Sequence, residues 1–165
     1  LDKAVADAVL RAQGTSWCAG LRRGLLGDPW GRQLKPAAAT QIDVDLVVVE
    51  GTNTESLKKG PGHYSKTAYP WQDTGRVGIA GHRTTYGAPF WSLNELREGD
   101  RIALATEYGI FNYRISRIVV TPPDGILPSG DYVLAPTNDP SLVLTTCNPR
   151  FSAAERLVVV ADRVD

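Results

Sequence analysis

The chain has 165 residues, 18 basic and 18 acidic, so its formal charge is zero at pH 7. That balance removes the electrostatic case for nucleic acid or a strongly anionic surface as partner. With 42% apolar and 22% charged residues it has the composition of a globular chain, long enough for one domain with its own core. No apolar run approaches the roughly 18 residues of a membrane span, and no signal-peptide pattern is present. The chain starts at Leu1 and lacks methionine, which suggests a processed piece, with any anchor or export signal upstream.

In "LDKAVADAVLRA", Leu1, Val5, Ala8, Val9 and Ala12 recur at helical spacing, and Lys3, Asp7 and Arg11 form a charged row on another face. An amphipathic helix is expected there. From Gly14 to about Gln41 the chain is irregular and basic, and it includes Cys18 and the turn "GDPWG". Residues 1–41 therefore read as a helical and irregular arm, a stalk or a lid. Residues 42–165 read as a mostly β domain. There, Gly and Pro divide short runs rich in Val, Ile, Thr and Tyr, which favour strands.

Strands are expected near Val44–Glu50, Arg76–Gly81, Asp100–Thr106, Ile110–Thr121, Leu142–Thr146 and Leu157–Val164, with weaker candidates at Leu57–Lys59 and Gly130–Ala135. Phe90–Arg97 reads as one or two helical turns with Phe90, Leu93 and Leu96 on one face. "KKGPGHY", "TPPDG" and "TNDP" are turns, and "YPWQD" belongs to a loop. The pattern describes an antiparallel barrel or sandwich.

Three strand ends carry residues able to do chemistry. Cys147 ends "LVLTTC", His82 ends "VGIAGH", and Arg156 opens "RLVVVAD" after a short loop that can form a hairpin. A thiol attacks as its thiolate and needs a proton acceptor or a positive charge nearby. In a twisted barrel such ends can converge on one concave site. Each residue also has a plainer reading: a lone Cys as a small core residue, a strand-end His as a satisfied surface group, an Arg as an edge charge. Thr145 and Thr146 make the surroundings of the thiol polar. His63, in "GPGHY", reads as structural or as part of the rim. Two cysteines permit either a Cys18–Cys147 disulfide or free thiols, and their number alone does not decide.

"VGIAGHRTTYGAPFWSLNELREGDRI" resembles the histidine segment of bacterial sortases, in which G-H-R precedes a loop, a short helix and G-D. "LVLTTCNPRFSAAERLVVVA" is similar to the sortase T-L-x-T-C segment, with the arginine nine residues after the cysteine. "VVVEG" and "LKKGPGHY" resemble early barrel strands of that family, so the likeness runs from about Asp43 to Val164. It implies a closed β-barrel of about eight strands with short helices. It also implies a cysteine transpeptidase that cleaves a sorting signal between Thr and Gly through a thioacyl intermediate. His82, Cys147 and Arg156 would be its catalytic residues.

"GHRTTYGAPFW" and "TTCNPRFS" are similar to class E, the housekeeping type whose signal has the form Leu-Ala-x-Thr-Gly. On that resemblance Tyr86, with Thr145 and Thr146, contacts substrate. Implied partners are secreted proteins with a C-terminal sorting signal and a cell-wall or pilin amine as acceptor. The implied setting is the outer face of a Gram-positive membrane. No cofactor or metal is implied, and Glu50, Glu55 and Asp73 do not form a recognisable calcium loop.

Asp28, Pro29 and Trp30 match the Asp-Pro-aromatic lid of pilus-building class C sortases, and also a plain β-turn. There are two departures from the family. Val143 stands where the first Thr often lies, and the apolar, proline-bearing strand expected before "VDLVVVEG" is absent from "KPAAATQIDVDL". Either the arm enters by another route or residues are missing near 36–42. Two other readings stay open: another Cys/His cell-wall hydrolase, which would want its cysteine at a helix N-terminus, and a non-catalytic barrel held by a Cys18–Cys147 disulfide.

Overall fold

The computed structural model describes residues 9–13, 44–126 and 134–164. Its strands are β1 (Val9–Gln13), β2 (Val44–Val47), β3 (Val49–Glu50), β4 (Gly62–His63), β5 (Arg76–Ala80), β6 (Arg101–Thr106), β7 (Gly109–Thr121), β8 (Ser141–Asn148) and β9 (Glu155–Arg163). A short helix, α1 (Thr54–Leu57), and 3-10 turns at Leu93–Glu95 and Pro123–Ile126 complete it. The sheet order is β2-β1-β6-β7-β9-β8-β5-β4-β3.

The two ends of that order, β2 and β3, are halves of one segment parted only by the buried Val48. One half pairs with β1 and the other with β4, so the sheet closes into a barrel. Counted as a single bent strand, that segment gives the barrel eight strands. Among the described strands, closure leaves no free edge for another chain to pair with.

Apolar residues fill the barrel and also cover part of its outside. Leu142, Leu144, Leu157, Val159 and Ala161 point inward with Phe90, Leu93, Ile102, Leu104 and Tyr113. Their neighbours Val143, Val158 and Val160 point outward, where Leu134, Tyr64, Val119 and Ile126 cover them. Because β8 and β9 are buried on both faces, residues 141–146 are buried throughout, without alternation. In β7 the register shifts between Ile115 and Arg117. That bulge changes the phase, so that Ile118 packs on the inner core and Val119 on the outer cluster.

Three expectations need correction or limits. Residues 9–13 form a strand and not the expected helix. Leu10 lies opposite Leu46 and Leu104, and Ala12 opposite Val44 and Ile102, so the strand fills the position between β2 and β6. Two rows of unpaired peptide groups outweigh the helical periodicity of this stretch. The expected strand at Leu57–Lys59 is instead the end of α1, because the Asn53 side chain accepts from Ser56 N at 3.0 Å and caps a helical turn. Of Gly130–Ala135, only Leu134 and Ala135 are described, and neither is in a strand. The Phe90–Arg97 expectation holds: its turn is the 3-10 segment Leu93–Glu95, and Phe90, Leu93 and Leu96 are all buried.

Candidate active site

The site forms where β5 and β8, parallel neighbours, leave the sheet at the same end. Ala80 lies opposite Thr145, Gly81 N donates to Thr145 O at 3.0 Å, and Thr146 Oγ1 donates to Gly81 O at 2.8 Å. These bonds fix the positions of His82 and Cys147, the next residue on each chain. Gly81 has a second role. A Cβ there would meet the Phe90 ring at 2.5 Å, so only glycine lets Phe90 pack beneath the strand end. Phe90 N donates to His82 O at 3.1 Å and folds the following loop back onto the site.

On the other side, β8 and β9 form an antiparallel hairpin in which Cys147 and Arg156 are direct partners. Directly opposed residues share a face, with Cβ atoms about 5 Å apart. Both follow the outward phase of Val143, Thr145 and Val158, so they stand on the barrel's outer wall. Cys147 is a partly exposed free thiol. The Arg156 guanidinium donates to the carbonyls of Ala153 at 3.0 Å and Glu155 at 2.9 Å, which holds it over its own hairpin. Cys147 is the penultimate residue of β8, a setting unlike the helix N-terminus expected of other thiol hydrolases.

The His82 ring is only partly satisfied. Its Nε2 is buried and has no hydrogen-bond partner among the described residues. Tyr86 lies against the ring, with centroids 4.9 Å apart at 45°. Lys58 Nζ sits 5.9 Å from the centre of the Tyr86 ring. Tyr86 is half exposed, and it opens a run of three positive φ angles: Tyr86 at 50°, Gly87 at 77° and Ala88 at 46°. Two non-glycine residues in left-handed conformation cost of order 1 kcal/mol each, strain of the kind that collects at functional sites.

Several site residues carried no assignment from the sequence. Tyr64, next to His63 in "GPGHY", shares a 2.9 Å hydrogen bond with Thr145 Oγ1. Burial raises its hydroxyl pKa; the Thr145 bond and the charge of Arg156 pull it down, and Cys147 pushes it up. Tyr64 thus stands in the field of both members of the hairpin pair. Arg83, beside His82 in "GHR", is buried and donates to Cys147 O at 3.4 Å. Arg150 donates to Trp91 O and Asn94 Oδ1 and lies 4.5 Å over the Trp91 ring. The signal for Arg83 was its place beside the histidine; nothing in the sequence marked Tyr64 or Arg150.

His63 is structural. It is 1% exposed, with Glu50 Oε2 on Nδ1 at 3.0 Å, Ala68 O on Nε2 at 3.0 Å, and Tyr69 stacked on its ring. Asp28, Trp30 and Cys18 lie outside the described residues. Among the described residues no three His, Cys, Asp or Glu side chains gather where a metal ion could sit, and no helix is long and apolar enough to cross a membrane.

Comparison with known proteins bears on this geometry. The model of the sortase domain family matches residues 38–164. The chain is 34% identical over 128 residues to sortase D of Bacillus subtilis, a match covering 75% of this chain and 60% of that protein. It is also 34% identical over 140 residues to sortase SrtE1 of Streptomyces coelicolor, covering 76% of this chain and 38% of the relative. The chain thus spans between about two fifths and three fifths of these relatives' lengths. The structure of Streptomyces coelicolor sortase E1 with a tripeptide in its active site superposes at a TM-score of 0.65 with 32% identity, over 74% of this chain and 82% of that one. A lid mutant of sortase A from Corynebacterium diphtheriae, at 24% identity, shares the fold at a TM-score of 0.71 over 97% of this chain and 70% of its own.

Proposed function

Because the chain belongs to the sortase family and is most like class E, we propose that it is a cysteine transpeptidase for proteins bearing a Leu-Ala-x-Thr-Gly or Leu-Pro-x-Thr-Gly sorting signal. The observation that carries the reading is the pairing of Cys147 with Arg156 across the β8–β9 hairpin, at the strand end beside which β5 delivers His82.

In this reading Cys147 Sγ attacks the Thr carbonyl carbon and the Thr–Gly C–N bond breaks. His82 protonates the departing glycine amine, leaving the Thr acyl group as a thioester on Cys147. An incoming amine gives its proton to His82, attacks the thioester and releases the thiolate. Arg156 stabilises the oxyanion of each tetrahedral intermediate, or holds the substrate backbone with its forked donors. The buried, unpartnered Nε2 of His82 supports the proton-carrying role, since an unmet buried nitrogen in a native site calls for a reason. Tyr86, beside that ring, takes the residue before x in the signal. Thr145 and Thr146 line the approach to the thiol. The acceptor is a cell-wall or pilin amine, and the enzyme works at the outer face of the membrane.

Residues 1–41 are read as an arm in which Asp28 and Trp30 cover the site. Because β1 is a strand of the barrel wall, deleting residues 1–40 removes it along with any lid. Point changes are the cleaner test.

The experiment is a mass-spectrometric ligation of each signal peptide to a short glycine amine, by the wild type, Cys147→Ala and the Asp28→Ala/Trp30→Ala variant. The expected result is a ligated product that Cys147→Ala does not form, with a higher rate in the double variant. No product from either peptide with the wild type and the double variant alike would overturn the transpeptidase reading. Equal rates in wild type and double variant would overturn the lid.

A further inference from the structure

Arg83 is 4% exposed, yet every group it donates to is neutral: Trp91 O from Nε at 3.0 Å, Asn94 Oδ1 at 2.8 Å, and Cys147 O at 3.4 Å. Among the described residues it has no carboxylate partner. A buried cation without a counter-anion is costly, and structures that keep one use it for something. Arg150 sharpens the question, since it brings a second guanidinium to the same Trp91 carbonyl and the same Asn94 oxygen. Glu95 lies 3.8 Å from Arg150 and serves that outer arginine. The inner one has only neutral acceptors, the nucleophile's own carbonyl among them.

We propose that Arg83 is a positioning residue for Cys147: it pins the main chain of the nucleophile to the loop after His82 and serves as the buried cation that favours the thiolate. The assignment rests on the sortase reading only in taking Cys147 as the nucleophile. Burial, and then the charge of Arg150, depress the Arg83 pKa, while the negative charge of a Cys147 thiolate raises it. Other charged or titratable groups near the thiol are Arg156 from β9, Tyr64 after β4 and His82 after β5. Of the three arginines named here, Arg83 alone is buried, and so it is the one whose field salt screens least.

The test reads the alkylation rate of Cys147 by iodoacetamide against pH, with the labelled peptide identified by mass spectrometry so that Cys18 does not interfere. Asn94→Asp places a carboxylate where Arg83 already donates, at an exposed position that leaves the fold intact. It should raise the pH midpoint of alkylation by roughly 0.5–1 unit, and Arg83→Gln by at least as much. Arg83→Lys, which keeps the charge but loses the fork, should hold the midpoint while kcat for peptide ligation falls about tenfold at near-constant KM. A midpoint unchanged in both Asn94→Asp and folded Arg83→Gln would overturn the proposal. The alkylation profile needs no substrate. If neither the wild type nor the Asp28→Ala/Trp30→Ala variant ligates either peptide while these shifts are seen, the transpeptidase reading falls and the Arg83 assignment stands.

Discussion

His63 ends β4 and His82 follows β5, two strands that pair in the barrel, yet the two rings live in different chemistry. Both nitrogens of His63 meet oxygen acceptors, from Glu50 on one side and the Ala68 carbonyl on the other, and Tyr69 closes the face of the ring. His82 has a buried nitrogen with no partner among the described residues and lies under a half-exposed tyrosine on strained backbone. A ring held by partners on both nitrogens and on one face contributes to stability. An unsatisfied one contributes little to stability and is available for reaction. Satisfaction, more than burial, separates the structural histidine from the one proposed to react.

The sharpest way to break this contrast is to exchange its terms. His82→Gln should lower kcat for ligation by about 10²–10⁴-fold while the thermal midpoint stays near that of the wild type. His63→Gln should do the reverse, costing about 1–3 kcal/mol in denaturant unfolding with turnover per folded molecule retained. If His63→Gln lost activity while folded, or His82→Gln lost stability without activity, the contrast would fail.

Gly81→Ala should have the next largest effect, because the added methyl meets the Phe90 ring and Phe90 anchors the loop carrying Tyr86. Overpacking of this kind costs about 1–3 kcal/mol, and here it should lower ligation as well, measured by paired melting and rate data. A neutral result would mean that Phe90 has room to shift.

The smallest expected effect concerns Tyr64. Its pKa is raised, chiefly by burial, so the folded state holds the phenolic proton more tightly than the unfolded chain. The stability this provides is therefore present below the unfolded value of about 10 and is lost as pH climbs past it. Wild type should lose stability faster than Tyr64→Phe between about pH 9.5 and 11, read as the difference between their urea midpoints. Parallel curves would mean that Tyr64 titrates as it does in the unfolded chain.

Much of the barrel was legible in the sequence because Gly and Pro punctuate it and β-branched residues fill the intervals. The major strands fall within a few residues of where these signals put them. Cys147, His82 and Arg156 were legible as strand ends, and the hairpin register joins two of them directly. What stayed hidden depends on distant partners. The "VLRAQ" strand carries a helical pattern, and only the gap between β2 and β6 makes it a strand. The bulge in β7 leaves no local mark, since its signal is which residues face the core after it. Tyr64 could not be linked to the thiol because its partner Thr145 lies 81 residues away. Arg83 was visible only as a neighbour of His82; the carbonyls that neutral loops offer it are a property of the folded chain.

The closing strand also says something about the order of folding. β1 precedes both of its partners, yet β6 emerges some ninety residues after it, and β2 only after a connection of about thirty. Contacts that distant in sequence are slow to form, because loop-closure entropy is spent before they return anything. Hairpins such as β6–β7 and β8–β9, with their short connections, can assemble while the barrel is still an open sheet with two unpaired edges. Docking of Val9–Gln13 is then the late step that ends the exposure of those edges, and the interval before it is when the nascent protein is most open to pairing with the wrong chain.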